Sequence, residues 1–161
     1  MSATRAVGID YGTARIGLAA SDALGVLAHP VETLPATPQL EALERIANLV
    51  SERHAEFVVI GLPLRQDGTE GRAAQKVQRF AAALRPLLPD RCIVHFQDEY
   101  RSTEEAKLRL RESGKRERRQ KPVIDQAAAA VILQEFLDWH NGPRLIALDD
   151  QSAGEGADLQ P

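Results

Sequence analysis

Residues 5–34 hold three short apolar runs with no helix-length pattern between them. The runs are Arg5–Asp10 (RAVGID), Arg15–Ala20 (RIGLAA) and a stretch within Leu27–Leu34. Each is strand-sized, and Gly12-Thr13 and Asp22–Gly25 between them have turn composition. Such an opening folds as hairpin-linked strands. The pattern then changes to alternation. Thr37-Pro38 predicts a helix start, with Thr37 as cap and Pro38 as the first helical residue. Leu40, Leu43, Ile46, Ala47 and Val50 continue it at helical spacing. Glu56–Ile60 is a fourth strand stopped by Gly61 and Pro63, and a polar loop, Arg65–Gly71, leads into a helix over Arg72–Leu84. That helix carries Ala74, Val77, Phe80, Ala81 and Leu84 on one face. Arg91–Phe96 is a fifth strand ending in Gln97-Asp98-Glu99. Ser102 or Thr103 caps a helix to about Ser113, Gly114 ends it, and a basic loop reaches Pro122. A last helix covers Val123–Trp139. The order β-β-β-α-β-α-β-α-α predicts an α/β fold, a mixed five-stranded sheet with helices on both faces.

A chain of 161 residues, 43% hydrophobic and 27% charged, is sized for one globular domain with a tail. The domain is expected over residues 1–143, and 144–161 reads as an acidic, disordered tail. No apolar run approaches the ~20 residues of a membrane span, and no secretory signal opens the chain. One cysteine, Cys92, excludes a disulfide framework and a cysteine-built zinc site, and it alternates with Val94 as a core position. His29, His54, His95 and His140 lack metal-ligand spacing. The expected location is the cytoplasm. Aromatic residues are only 4% of the chain, which argues against base stacking as the main mode of recognition.

The net charge of −3 hides a local excess. Between Arg101 and Lys121 nine basic residues stand against four acidic ones, a segment of +5 in a remainder of −8. Arg101, Lys115, Arg116, Arg118, Arg119 and Lys121 are its candidates for phosphate contact, and a solvated helix with salt-bridged neighbours is the alternative. Arg15 is a further candidate, or a surface charge on a strand. Thr13 and the loop Gly68–Gly71 read as turn and helix-entry residues that could also meet a phosphate.

Three carboxylates occupy costly places. Asp10 ends the first apolar strand, where an aspartate also serves as a turn former. Asp98 and Glu99 end the fifth strand, and one acid of such a pair can cap the following helix. Asp125 shares its helix face with Ala128, Ala129, Ile132 and Leu133, an apolar stripe, so its carboxylate needs a partner, a proton or a cation; the alternative is a helix-start aspartate favoured by the helix dipole. In an α/β sheet, strand ends carrying chemistry gather at one edge. Carboxylates brought together there repel unless a cation neutralises them, and oxygen-only ligands select Mg2+ or Mn2+. Two such ions roughly 4 Å apart can drive phosphodiester hydrolysis.

GIDYGTARIGLAASD, VVIGLPLRQDGTEG, DEYRSTEEA and IDQAAAAVILQEFL resemble, in order and with matching gaps, the motifs of the YqgF family. The resemblance runs from about Arg5 to Trp139. Members of that family are described as pre-16S rRNA nucleases or Holliday junction resolvases, related to RuvC and RNase H-like in fold. It implies a metal-dependent endonuclease, acting in 5′-end processing of precursor 16S rRNA or on branched DNA. It matches Asp10, Glu99 and Asp125 to the three catalytic, metal-holding acids, with Asp98 as the alternative to Glu99. Tyr100 stands where the family usually has arginine, with Arg101 next, and Pro122 interrupts the basic run before Asp125.

Other classes remain open at this stage. A non-catalytic nucleic-acid-binding factor in transcription or ribosome assembly would use the same basic segment. Asp10-Tyr11-Gly12-Thr13 also resembles the first phosphate motif of actin-like ATPases, which need a second domain. A homodimer would suit a two-fold symmetric junction.

Overall fold

The computed structural model describes residues 3–100 and 123–142. β1 (Ala6–Tyr11), β2 (Arg15–Ser21) and β3 (Ala28–Pro35) form an antiparallel meander. α1 (Gln39–Glu52) then leads to β4 (Phe57–Leu64), which pairs parallel to β1. α2 (Arg72–Leu84) leads to β5 (Ile93–Tyr100), parallel to β4. The sheet order is β3-β2-β1-β4-β5, so the first strand of the chain is the central one. This is the mixed five-stranded sheet that the sequence implies. A last helix, α3, covers residues 123–142.

Strand alternation divides the core in two. Val7, Ile9, Ile16, Leu18, Val58 and Ile60 pack against α1 and α2 on one face. Ala6, Ala19 and Val59 meet Ala129, Ile132, Leu133, Phe136 and Leu137 of α3 on the other. β1 is buried from Ala6 to Ile9, as a strand covered on both faces must be. All five expected apolar positions of α2 are buried. α3 is also held by polar contacts at its far end. Gln134 accepts from the Ala28 N–H at 2.9 Å and donates to the Val26 carbonyl at 2.8 Å, and Asn141 donates to the Gly25 carbonyl at 3.0 Å. None of the described helices is long and apolar enough to cross a membrane.

Three local expectations need correction. α1 begins one residue later than Thr37-Pro38 predicts. The Ala42 N–H donates to the Pro38 carbonyl at 3.4 Å, so Pro38 is itself the cap, with extended backbone (φ −67°, ψ 137°) and no side-chain bond. The buried stripe of α1 is Ala42, Leu43, Ile46, Leu49 and Val50. Leu40 is 62% exposed, because six residues before Ile46 lies about 120° around a 3.6-residue turn. β4 is not stopped by Gly61 and Pro63 but runs through both. The β1 ladder ends at the Ile9–Ile60 pair, so Pro63 stands where β5 is the remaining ladder partner and a missing donor is tolerable. β5 reaches Tyr100, so Asp98 and Glu99 stand at its end as expected. The expected helix between Ser102 and Ser113, the basic loop and the tail at 144–161 lie outside the described residues.

Candidate active site

Side chains of directly paired strand residues lie on the same face of a sheet. Asp10 pairs with Gly17 across β1 and β2. The space that a Cβ on Gly17 would fill is taken by the backbone carbonyl of Asp125. Asp10 therefore faces α3, below its Asp125 turn. Glycine is required at position 17 because the helix backbone itself lies on it.

Glu99 reaches the same face by alternation along β5. His95 packs its ring 5.0 Å from Phe136 and 5.5 Å from Trp139 of α3, centroid to centroid. Glu99 is four residues further on and so shares that face. Its Oε2 lies 3.1 Å from the point where a Gly61 Cβ would stand, and Ile132 Cδ1 is 2.7 Å from the same point. Val94 and Phe96 pack toward α1 and α2, so Asp98 alternates to that side, where it is exposed. The structure thus separates the two neighbouring acids by face.

Asp10 and Glu99 line one cleft of about 580 Å³ at the carboxyl ends of β1, β4 and β5. Tyr11 and Thr13 line it too, and Tyr11 is fixed by stacking on Phe80 with centroids 4.6 Å apart. Arg65, Arg72 and Lys76, from the end of β4 and the start of α2, line the same cleft. Asp125 is not among the lining residues. Its Oδ2 accepts from Arg15 Nε at 2.8 Å, an ion pair between side chains 35% (Arg15) and 24% (Asp125) exposed. Arg15 is thereby engaged with a carboxylate. Arg101, Lys115, Arg116, Arg118, Arg119 and Lys121 lie outside the described residues.

Among the described residues no three His, Cys, Asp or Glu side chains stand close enough to hold a metal ion. The pair in the cleft still has a definite donor chemistry. Asp10 and Glu99 offer carboxylate oxygens only, which fits a hard divalent cation such as Mg2+ or Mn2+ better than zinc. Elsewhere, Asp67 shapes the loop into α2 by accepting from the Thr69 hydroxyl at 2.6 Å and the Thr69 N–H at 2.9 Å. Those bonds hold its carboxyl below the usual carboxylate range. Burial pushes the Cys92 thiol up, in keeping with a half-buried core position.

Neither Gly17 nor the cluster of Arg65, Arg72 and Lys76 stands out in the sequence, and Gly61 reads there only as a strand stop. A glycine paired with Asp10 and another directly after VVI signal close approach of a helix. Arg72 and Lys76 are spaced to share a helix face.

The strand order, together with acids near the carboxyl ends of the central strand and of edge strand β5, defines a mixed α/β domain with two carboxylates in one cleft. Within that class, the family described as RuvX, Holliday junction resolvase, matches residues 4–139. The chain belongs to this family. It is 46% identical over 138 residues to a Rhodococcus opacus (strain B4) protein named "Putative pre-16S rRNA nuclease", covering 83% of this chain and 77% of that one. A Nocardia farcinica (strain IFM 10152) protein of the same name is 41% identical over 160 residues, covering 96% and 88%. Among solved structures, T. thermophilus RuvC in complex with Holliday junction substrate aligns at TM-score 0.48 and 18% identity, over 86% of this chain and 96% of that one.

Proposed function

We propose that the chain is a metal-dependent nuclease that hydrolyses phosphodiester bonds in structured nucleic acid. The observation that carries this reading is the shared cleft of Asp10 and Glu99, two carboxylates from separate strands on the α3 face. The names of the Rhodococcus and Nocardia relatives support precursor 16S rRNA as substrate. The description of the family supports branched DNA.

In this reading Asp10 and Glu99 would hold the divalent cation, with Asp125, which here pairs with Arg15, as the third candidate ligand. The cation, Mg2+ or Mn2+, supplies Lewis acidity toward the phosphate and makes water a stronger nucleophile. The chain's own residues do the rest. Asp10 and Glu99 present negative charge that would repel a phosphate without a neutralising cation. Gly17 and Gly61 let α3 lie on the sheet, which fixes Asp125 and Glu99 relative to Asp10. Arg101, Lys115, Arg116, Arg118, Arg119 and Lys121 supply further phosphate contacts. Asp98, on the other face, has no part in the chemistry.

Incubation with precursor 16S rRNA and with a four-way DNA junction, in Mg2+, Mn2+ or chelator, tests the proposal. Cleavage of one substrate class with either metal, lost in chelator, is the expected result. Cleavage that persists in chelator rules out the metal, and binding of both substrates without cleavage rules out the nuclease.

A further inference from the structure

The cleft is lined by groups of both charges, and its basic wall comes from a part of the chain distinct from the basic segment between Arg101 and Lys121. Arg65 follows the last residue of β4, Arg72 is the first residue of α2, and Lys76 lies one turn further along the same helix face. We propose that Arg65, Arg72 and Lys76 form a phosphate-binding wall that holds a phosphodiester of the nucleic-acid substrate beside the carboxylates. This rests on the nuclease reading of the same cleft.

The arrangement is unfavourable for the protein on its own. Arg72 opens α2 at the positive end of the helix dipole, where a cation is disfavoured. The first turn of α2 contains no acid, and its cap, Gly71, makes no side-chain bond. Lys76 places a second positive charge at i+4 from Arg72. The ion pairs among the described residues involve Arg15 and Arg45, not these three cations. The acids of the neighbouring loop are hydrogen-bonded to other groups, although the nearby Arg65 charge also helps hold the Asp67 carboxyl low. Glu70 accepts from Gln78 Nε2 at 2.7 Å, and Asp67 accepts from Thr69. Arg65 is exposed, and its guanidinium lies beside Gly71 at the start of α2. A Cβ on Gly71 would come 3.1 Å from its Nε and 3.3 Å from its Nη2, so glycine lets the guanidinium lie against the mouth of α2.

Three cations and an uncapped helix start converge on a cleft that is also lined by two carboxylates. A polyanion with successive phosphates satisfies both, one phosphate at the cations and the next at the carboxylates once these hold a cation. A single small anion would satisfy only the basic wall.

The test is equilibrium binding of the full chain to a four-way DNA junction and to a precursor rRNA fragment, in chelator, over a range of salt. Arg65→Gln, Arg72→Gln and Lys76→Gln are compared with Arg91→Gln, an exposed arginine before the amino end of β5, at the other end of that strand from the cleft. Each cleft variant should lower the slope of log K against log salt by about 0.9 on duplex DNA, or about 0.7 on single strands, while Arg91→Gln leaves it unchanged. Arg72→Gln should also keep or raise the unfolding midpoint of the free protein, because it removes a cation from the positive end of α2. Slopes unchanged in all three cleft variants, or reduced equally in Arg91→Gln, overturn the proposal. A wild type that binds neither substrate overturns both the wall and the nuclease reading. Intact wall effects in a protein that binds but never cleaves sink the nuclease reading alone.

Discussion

Arg15 Nε donates to Asp125 Oδ2 at 2.8 Å, tying the first residue of β2 to the early part of α3. Both side chains are partly exposed, so the pair contributes about 1 kcal/mol or less to the fold. Its larger consequence is competition. A carboxylate oxygen already bonded to a guanidinium is less available to a cation. Arg15→Met should therefore cost at most about 1 kcal/mol in urea unfolding and should tighten Mn2+ binding in calorimetric titration. Unchanged or weaker Mn2+ binding counts against Asp125 as a ligand.

Gly61 is the point where β4, α3 and Glu99 meet. A methyl there comes 2.7 Å from Ile132 Cδ1 and 3.1 Å from Glu99 Oε2. Gly61→Ala should destabilise the fold by about 1–3 kcal/mol through overpacking. Adding Ile132→Val removes the Cδ1 atom and should restore part of the loss. Chemical denaturation of the single and double variants decides this. A Gly61→Ala protein as stable as wild type would show that α3 does not lie closely on the sheet.

Asp98 and Glu99 are adjacent in sequence and separated by the sheet. Glu99→Gln should lower the cleavage rate about 100-fold or more, the scale for removing one group that stabilises a reacting centre. Asp98→Asn should cleave like wild type. Single-turnover rates at one Mn2+ concentration make the comparison, and a more impaired Asp98→Asn reverses the assignment within the pair.

Much of this fold was legible in the sequence, and the misses have physical causes. Short apolar runs joined by turns gave the meander, and helical periodicity gave α2 and α3 with their buried faces. Asp125 stood out because Ala129, Ile132 and Leu133 follow it at core spacing, and all three are buried. Gly61 and Pro63 misled because both break isolated strands. Here glycine makes room for α3, and proline falls beyond the end of the β1 ladder. Leu40 misled because an apolar residue in the first turn of a helix fits the period loosely. The cation wall was hidden because Arg65 joins Arg72 and Lys76 only when the loop folds back, with the Arg65 N–H bonded to the Thr69 carbonyl at 3.0 Å. The partner of Asp125 is 110 residues away in sequence, and no local pattern reveals such a pair.

The turn between β2 and β3 predicts an effect of acid. Asp22 Oδ1 accepts from the Val26 N–H at 2.9 Å and the Leu27 N–H at 3.3 Å. The Val26 bond is the largest cause of a carboxyl held below its ordinary value. A carboxyl with a depressed folded pKa adds stability above its unfolded pKa, about 3.9, and loses it as pH falls through the folded value. In Asp22→Asn this contribution should be absent, so stability should fall less steeply below about pH 4 than in wild type. Urea midpoints measured from pH 2 to 7 check it, and identical acid limbs in the two proteins would show that the turn bonds do not distinguish folded from unfolded chain.

Under the proposed function, Asp10, facing α3 from the central strand, belongs to a metal-dependent cleavage site. The most direct measurement is the single-turnover cleavage rate of wild type and Asp10→Asn on precursor 16S rRNA and on a four-way DNA junction, in Mn2+, with unfolding midpoints recorded alongside. The account predicts cleavage of at least one substrate by wild type. It predicts a rate lower by about 100-fold or more in Asp10→Asn, and an unfolding midpoint without metal that is equal or higher. An Asp10→Asn enzyme that folds normally and cleaves at the wild-type rate would contradict it.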